Sequence, residues 1–305
     1  MKKNFLTILL YHGVTKHENF GIENHSAKHI DANDFVFQMK YIKKNLNILS
    51  MDEVAEIYND NREIPKNSVA ITFDDGFENN YTEAAPVLDD LNIPATFYIT
   101  SGIVNTNIMF WVDQIEDIIN YSKIKEISLK LNKDHTFPII FKKDKLFALS
   151  SIKTYCKLAS REEKDRVLSD LIDIASYKPN AKNSPNYNKI TWCQLKNMNS
   201  NNLFTIGGHS LYHDILSSMD SGMMRMDIKL SIKLLEYNLK NKIEHYSYPE
   251  GQMEHFNEEV VSCLKNNGIK ISPSAIHGVN YLDNRDLFNL RRVMVGIDGK
   301  PFPFK

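Results

Sequence analysis

Apolar and polar positions along the chain change period in blocks. A mostly apolar run opens it, Phe5 to Leu10, and "SVAITF" (68–73) and "PATFYIT" (94–100) repeat the pattern. Each run is too short for a stable helix and rich in β-branched or aromatic residues, which predicts buried strands. Between them apolar residues recur at helical spacing. "DANDFVFQMKYIKKN" follows a capping Asp31, a short helix opens at Ser50 with Glu53 three residues on, and "ENNYTEAAPVLDDLN" follows the second strand. The alternation resumes after residue 189, with "TWCQLKNM", "SMDSGMMRMDIKLSIKLLEYNLK" and "NEEVVSCLKNN" as helices and "NLFTIGGH", "IEHYSYP" and "IKISPSA" as strands. Strands joined through helices predict parallel pairing in an α/β sheet or barrel.

The middle, about residues 105–189, breaks this rhythm. It carries a helix around "WVDQIEDIIN", a hairpin in "EISLKLNKDHTFPIIF" and a helix in "SREEKDRVLSDLIDIAS", where Ser160 and Glu163 have capping-box spacing. We read it as an insertion packed on the core of one domain spanning 1–305, with "KPNAKNSPNYNK" (178–189) as a mobile loop. The 305 residues, 42% of them hydrophobic, suffice for a sizeable core. Lys+Arg at 37 against Asp+Glu at 38 leaves a net charge of −1 and no global field toward nucleic acid. Three scattered cysteines exclude a disulfide framework and a paired-cysteine zinc site, which fits a reducing compartment. The opening "MKKNFLTILLYHGV" mimics a signal peptide, but its apolar part is short and no small-residue cleavage site follows, so it reads as a strand. No run approaches the ~18 apolar residues of a membrane span. The expected location is the cytoplasm, including the periphery of the inner membrane.

Three predicted strand ends carry chemistry. Asp74-Asp75-Gly76 places two carboxylates at a tight turn; "GGHSLYH" places His209 and His213 four residues apart, pointing the same way if the segment turns helically; "SYPEG" (247–251) is a rigid turn able to shape a pocket wall. Two histidines and a carboxylate form a recurrent ligand set for a catalytic divalent metal, and the second carboxylate is then free to act as base on bound water. Alone, each motif is more often a solvated turn or a surface pair. Their conjunction at strand ends favours a site.

"TFDDG", "HSLYH" and "YPEG", in that order, resemble the motifs of the polysaccharide deacetylase family, the NodB-homology or carbohydrate esterase family 4 domain. "LLYHGV", "PATFYITSG", "FWVDQIE" and "LFNLRRVMVG" extend the likeness over most of the chain, toward members found in bacterial surface-polysaccharide biosynthesis. The resemblance implies a distorted (β/α) barrel of about seven parallel strands with a mainly helical insertion, and metal-dependent hydrolysis of N-acetyl groups from amino sugars. It makes Asp74 the general base and Asp75, His209 and His213 the ligands of a divalent metal, Zn²⁺ first, with Co²⁺, Ni²⁺ or Fe²⁺ also suited. Tyr248 and Pro249 would line the acetyl pocket, the Tyr248 N–H serving as oxyanion donor. His12, Trp111, Asp113 and Arg292 are candidate substrate contacts, and His277 is the candidate general acid.

One departure stands out. Many members start the third motif with an arginine that steadies the base, where this chain has Ser247; Arg291 or Arg292 is the candidate replacement. Two other readings are a non-catalytic glycan-binding relative and a deformylase acting on a lipid-linked amino sugar. The expected partner is an N-acetylated amino sugar or glycan.

Overall fold

The structure, a computed structural model, describes residues 4–283 and 286–304. Lys2 and Lys3, which gave the N-terminus its signal-like character, lie outside them. The chain divides into two compact units, one formed by Met1–Lys16, Ser26–Thr106 and Lys189–Lys305, the other by His17–His25 and Asn107–Asn188.

The first unit begins with β1 (Leu6–Tyr11), β2 (Gly13–Thr15), β3 (His29–Asp31), α1 (Ala32–Asn45), β4 (Asn47–Ile48), α2 (Met51–Asn59), β5 (Ser68–Phe73), α3 (Ala85–Asp90) and β6 (Ala95–Ile99). The second unit contributes α4 (Trp111–Tyr121), a hairpin of β7 (Glu126–Lys130) and β8 (Asp134–Pro138), α5 (Lys142–Leu158) and α6 (Arg161–Ala175). The first unit then resumes with α7 (Trp192–Asn199), β9 (Phe204–Gly208), α8 (Ser221–Leu239), α9 (Glu258–Asn266) and β10 (Val293–Met294). Helix starts follow local chemistry. The Asp31 carboxylate accepts from the amides of Asn33 and Asp34, and Ser50 and Glu53 bond each other's backbone amides across the first turn of α2.

β10, β1, β5, β6 and β9 lie side by side in that order, all parallel, with β4 added to β5. Beyond β9 the ladder continues through two irregular segments. Gly208 N donates to His245 O (2.9 Å), Tyr246 N to Ile271 O (3.1 Å) and Arg292 N to Ile276 O (3.0 Å), while β10 pairs back onto β1 at Leu9↔Val293. The sheet therefore closes on itself through β1, β5, β6, β9, the 245–247 segment, the 271–276 segment and β10: the distorted, parallel barrel expected from the sequence. Two expected strands, "IEHYSYP" and "IKISPSA", survive only as isolated bridges. Pro249 and Pro273 have no N–H to donate, which cuts their ladders short.

β1, β5 and β6 are buried at every position, because parallel strands are covered on both faces. Their aromatic side chains stack through the interior, Tyr11 on Phe73 (5.4 Å) and Phe73 on Phe97 (4.9 Å). Each such burial stabilises by about 1.5–3 kcal/mol relative to exposure. The second unit has its own core, including Ile115, Ile119, Phe137, Leu149, Ile152 and Leu171.

The sequence reading contained no helix at 142–158, and α5 fills that stretch. Its buried residues, Ala148, Leu149, Ile152 and Cys156, have helical spacing. Ser150, Ser151 and Thr154 blur the pattern with weak helix formers. At α6 only half the expected box forms: Ser160 Oγ accepts from Glu163 N, but the Glu163 carboxylate turns to Tyr155 Oη (2.5 Å) and Arg166 (2.7 Å). A charged guanidinium is the stronger partner. Asp31→Ala, which removes the carboxylate oxygen shared by both amides of the α1 cap, is expected to lower stability by about 1 kcal/mol in denaturant unfolding.

Candidate metal centre and active site

The chain turns sharply where β5 ends. Asp75 has φ 81° and Gly76 φ 83°, and Gly76 N donates to Asp74 O (3.1 Å). Gly76 adopts this region freely; Asp75 does so under strain, the kind of local cost that structures retain where a side chain must be aimed. Both carboxylates end up buried, Asp74 4% and Asp75 5% exposed.

His209 follows β9 directly, but the segment to His213 is no helical turn. Ser210 and His213 have φ of 61° and 63°, and the loop is pinned by His213 N donating to Ser210 Oγ (2.7 Å), Ser210 N to Tyr246 Oη (2.8 Å) and Gly102 N to Leu211 O (2.8 Å). The imidazoles converge through this loop, their ring centroids 5.0 Å apart.

Asp75 Oδ1 lies 3.6 Å from His209 Nε2 and 3.3 Å from His213 Nε2, and among the described residues this trio is the group whose ligand atoms all lie within 4.8 Å of one another. Tetrahedral ligand atoms about 2.0–2.2 Å from an ion stand roughly 3.4 Å apart, so the spacing fits a divalent cation. Two further observations agree. Asp75 Oδ1 is buried without a well-formed hydrogen bond, and His209 Nδ1 lies 2.8 Å from Ser247 O. A carbonyl only accepts, so Nδ1 carries the proton and Nε2 keeps its lone pair for the ion. Burial opposes the charge on Asp75, yet the neighbouring His213 and His209 hold its pKa well below the ordinary carboxylate value.

Asp74 has a different partner. Arg292, 1% exposed, grips it in a bidentate pair, Nη1–Oδ1 2.7 Å and Nη2–Oδ2 2.7 Å. The remaining donors reach Ser247 Oγ (2.7 Å), Thr72 Oγ1 (3.2 Å) and Ser274 O (2.7 Å). All five guanidinium N–H groups are thus engaged inside the protein. Arg292 is therefore a partner of Asp74 and has no donor left for a substrate, a correction to its expected place among substrate contacts. Burial alone would raise the Asp74 pKa, but the Arg292 charge, with His209, brings it below the usual value, so Asp74 is anionic at neutral pH. Ser247, which stands where the arginine was missed, donates to Asp74 Oδ2 (3.3 Å) and helps to seat the guanidinium.

The other candidates divide. His12 directly follows β1, its Nδ1 is buried without a hydrogen-bond partner, and burial lowers its pKa against the pull of Asp75 and Asp74. The Tyr248 side chain is turned into the core: its ring stacks on Phe256 at 4.1 Å and its hydroxyl donates to Phe288 O (2.9 Å), which leaves only its backbone to border a pocket. Pro249 beside it is buried. His277 is exposed, its carbonyl held by Arg291, and among the described residues no contact joins its ring to the carboxylates. Trp111 and Asp113 belong to the second unit, where Trp111 packs against that unit's core with Lys164 Nζ 5.7 Å from its ring centroid, and Asp113 is buried in the first turn of α4. The Ser247 carbonyl that fixes His209 and the Tyr246 hydroxyl that anchors the histidine loop escaped the sequence reading. A backbone acceptor has no sequence signature.

The sequence profile described as polysaccharide deacetylase matches residues 61–129 and 167–272, more than half of the chain and both halves of the trio. The chain belongs to the polysaccharide deacetylase family. It is 33% identical over 115 residues to poly-beta-1,6-N-acetyl-D-glucosamine N-deacetylase of Staphylococcus aureus (strain MSSA476). That match spans 37% of this chain and 37% of the relative's length. The fold matches the Streptococcus pyogenes deacetylase PplD in complex with acetate, with a TM-score of 0.62 and 16% identity over 98% of this chain and 96% of that one. It also matches IcaB from Ammonifex degensii, with a TM-score of 0.62 and 17% identity over 96% and 93%. In this family member the arginine that pairs with the first aspartate arrives from residue 292, immediately before β10. Arg292→Lys keeps the charge but loses the fork, and is expected to lower stability by about 1–3 kcal/mol in denaturant unfolding while the metal content of the purified protein is unchanged.

Proposed function

We propose that this protein is a divalent-metal-dependent N-deacetylase that removes the acetyl group from N-acetylated amino sugars of a cell-surface glycan, with β-1,6-linked N-acetylglucosamine chains as the first substrate class to test. The observation that carries this reading is the unequal pairing of the two aspartates, Asp74 with Arg292 and Asp75 with two imidazoles. Family membership and the activity named for the S. aureus relative support it. Residues 1–305 act as one catalytic domain in this reading.

Asp75, His209 and His213 hold the cation, with Zn²⁺ preferred for a set of two imidazoles and one carboxylate. When bound, such an ion lowers the pKa of water and polarises the amide carbonyl. Asp74 takes the proton of the attacking water; its depressed pKa keeps it deprotonated and ready, and Arg292 keeps it aimed. The Tyr248 N–H is placed on the turn expected to meet the developing oxyanion. Asp74 then returns that proton to the leaving amine and is again a carboxylate; His12, buried with an unbonded Nδ1 within electrostatic reach of both aspartates, is better suited to contact the substrate here than the exposed ring of His277. The binding-only alternative rests on the missing arginine and on the lack of a matched general acid; Arg292 answers the first, and acetate release with added divalent metal tests the second. The deformylase alternative differs only in the acid released, which product analysis distinguishes.

Asp75→Asn and His209→Ala are expected to lose bound metal at least tenfold. Asp74→Asn is expected to retain metal and lose acetate release by a factor of about 10²–10⁴ on an N-acetylglucosamine oligomer. Equal metal loss in all three variants would refute the division of roles.

A further inference from the structure

The second unit carries a surface that deacetylation does not use. Within residues 140–158 four large apolar side chains stand in solvent: Ile140 (56% exposed), Phe141 (64%), Phe147 (65%) and Leu158 (87%). Phe147 and Leu158 lie on one stripe of α5, eleven residues apart, while the helix buries Ala148, Leu149, Ile152 and Cys156 on its other side. The stripe borders an open groove of about 470 Å³ lined by Leu131, Phe137, Phe147, Tyr155 and Leu158. α5 therefore has more apolar surface than its own unit covers.

Charge identifies the occupant. Between Lys123 and Lys157 there are nine lysines and only three acidic residues, Glu126, Asp134 and Asp144, a net charge of +6 in a chain whose total is −1. Lys142 and Lys143 are exposed next to Phe141, and Lys143 lies one turn before Phe147. The acidic residue lining the groove, Glu163, is already engaged by Tyr155 and Arg166. Exposed aromatic and aliphatic side chains interleaved with lysines match a surface that offers negative headgroups above an apolar layer. We propose that the exposed face of α5, with the preceding Ile140–Phe141 turn, docks on an anionic lipid bilayer. Phe141, Phe147 and Leu158 enter the headgroup boundary and Lys142 and Lys143 pair with lipid phosphates. Neither apolar insertion nor charge is sufficient singly; together they give reversible attachment. The surface is independent of the metal centre, so its failure leaves the deacetylase reading intact.

The test is co-sedimentation of the full chain with vesicles at low salt, comparing phosphatidylglycerol–phosphatidylcholine with phosphatidylcholine alone. The protein is expected to sediment with the anionic vesicles only and to be released by raised salt. Neutralising each of Lys142 and Lys143 with glutamine should weaken binding roughly fivefold. Phe147→Ser with Leu158→Ser should abolish attachment, while acetate release from a soluble substrate stays at the wild-type rate. Equal sedimentation with neutral vesicles, binding that ignores the lysine variants, or no sedimentation would overturn the proposal. So would a lipid-free dimer that the serine variants dissolve, which would assign the face to a second copy.

Discussion

Two neighbouring buried carboxylates cannot both remain charged without compensation, and the Asp74–Arg292 pair supplies it for one of them. At a separation of about 4 Å two like charges repel by about 4 kcal/mol even at an effective dielectric of 20. The guanidinium claims Asp74 through two 2.7 Å bonds and leaves Asp75 to the imidazoles. That division gives a repeated residue two chemically different environments, which in the proposed function suit one aspartate to ligate and the other to act as base. A buried ion pair is also expensive to break, by about 3–5 kcal/mol when one partner is removed, so the arrangement is held firmly.

Barrel closure and site assembly are the same structural event. Arg292 immediately precedes β10, the strand that returns to β1, and its backbone N donates to Ile276 O (3.0 Å) while its side chain reaches Asp74 beyond β5. His12, Asp74 and His209 each directly follow the C-terminal end of a parallel strand, so the register of the ring sets their heights relative to one another. The irregular 245–247 segment contributes in the same way, by presenting the Ser247 carbonyl to His209 and the Tyr246 hydroxyl to the histidine loop.

Much of this is legible in the sequence for physical reasons. Fully buried parallel strands write themselves as nearly continuous apolar runs, and Asp31 and Ser50 mark helix starts that form where expected. The candidate trio of Asp75, His209 and His213 is legible because its members sit at or near strand ends and glycines. What stayed hidden depends on three-dimensional closure. Which of Arg291 and Arg292 meets Asp74 is decided only when β10 is paired with β1, and Tyr248 looks like a pocket residue until its ring is seen against Phe256. The helical reading of His209–His213 failed because spacing alone does not distinguish a helix from a loop with two left-handed residues. In α5, serines and a threonine mask a buried face with regular spacing.

The central claim is that one aspartate ligates and its neighbour does not. Crystals of the zinc-loaded protein, with the anomalous signal of the metal used to place it, test that directly. The account predicts one zinc bonded to Asp75, His209 Nε2 and His213 Nε2, with Asp74 still forked to Arg292 and outside bonding distance of the ion. A zinc bound by Asp74, or an Arg292 released from it to solvent, would contradict it.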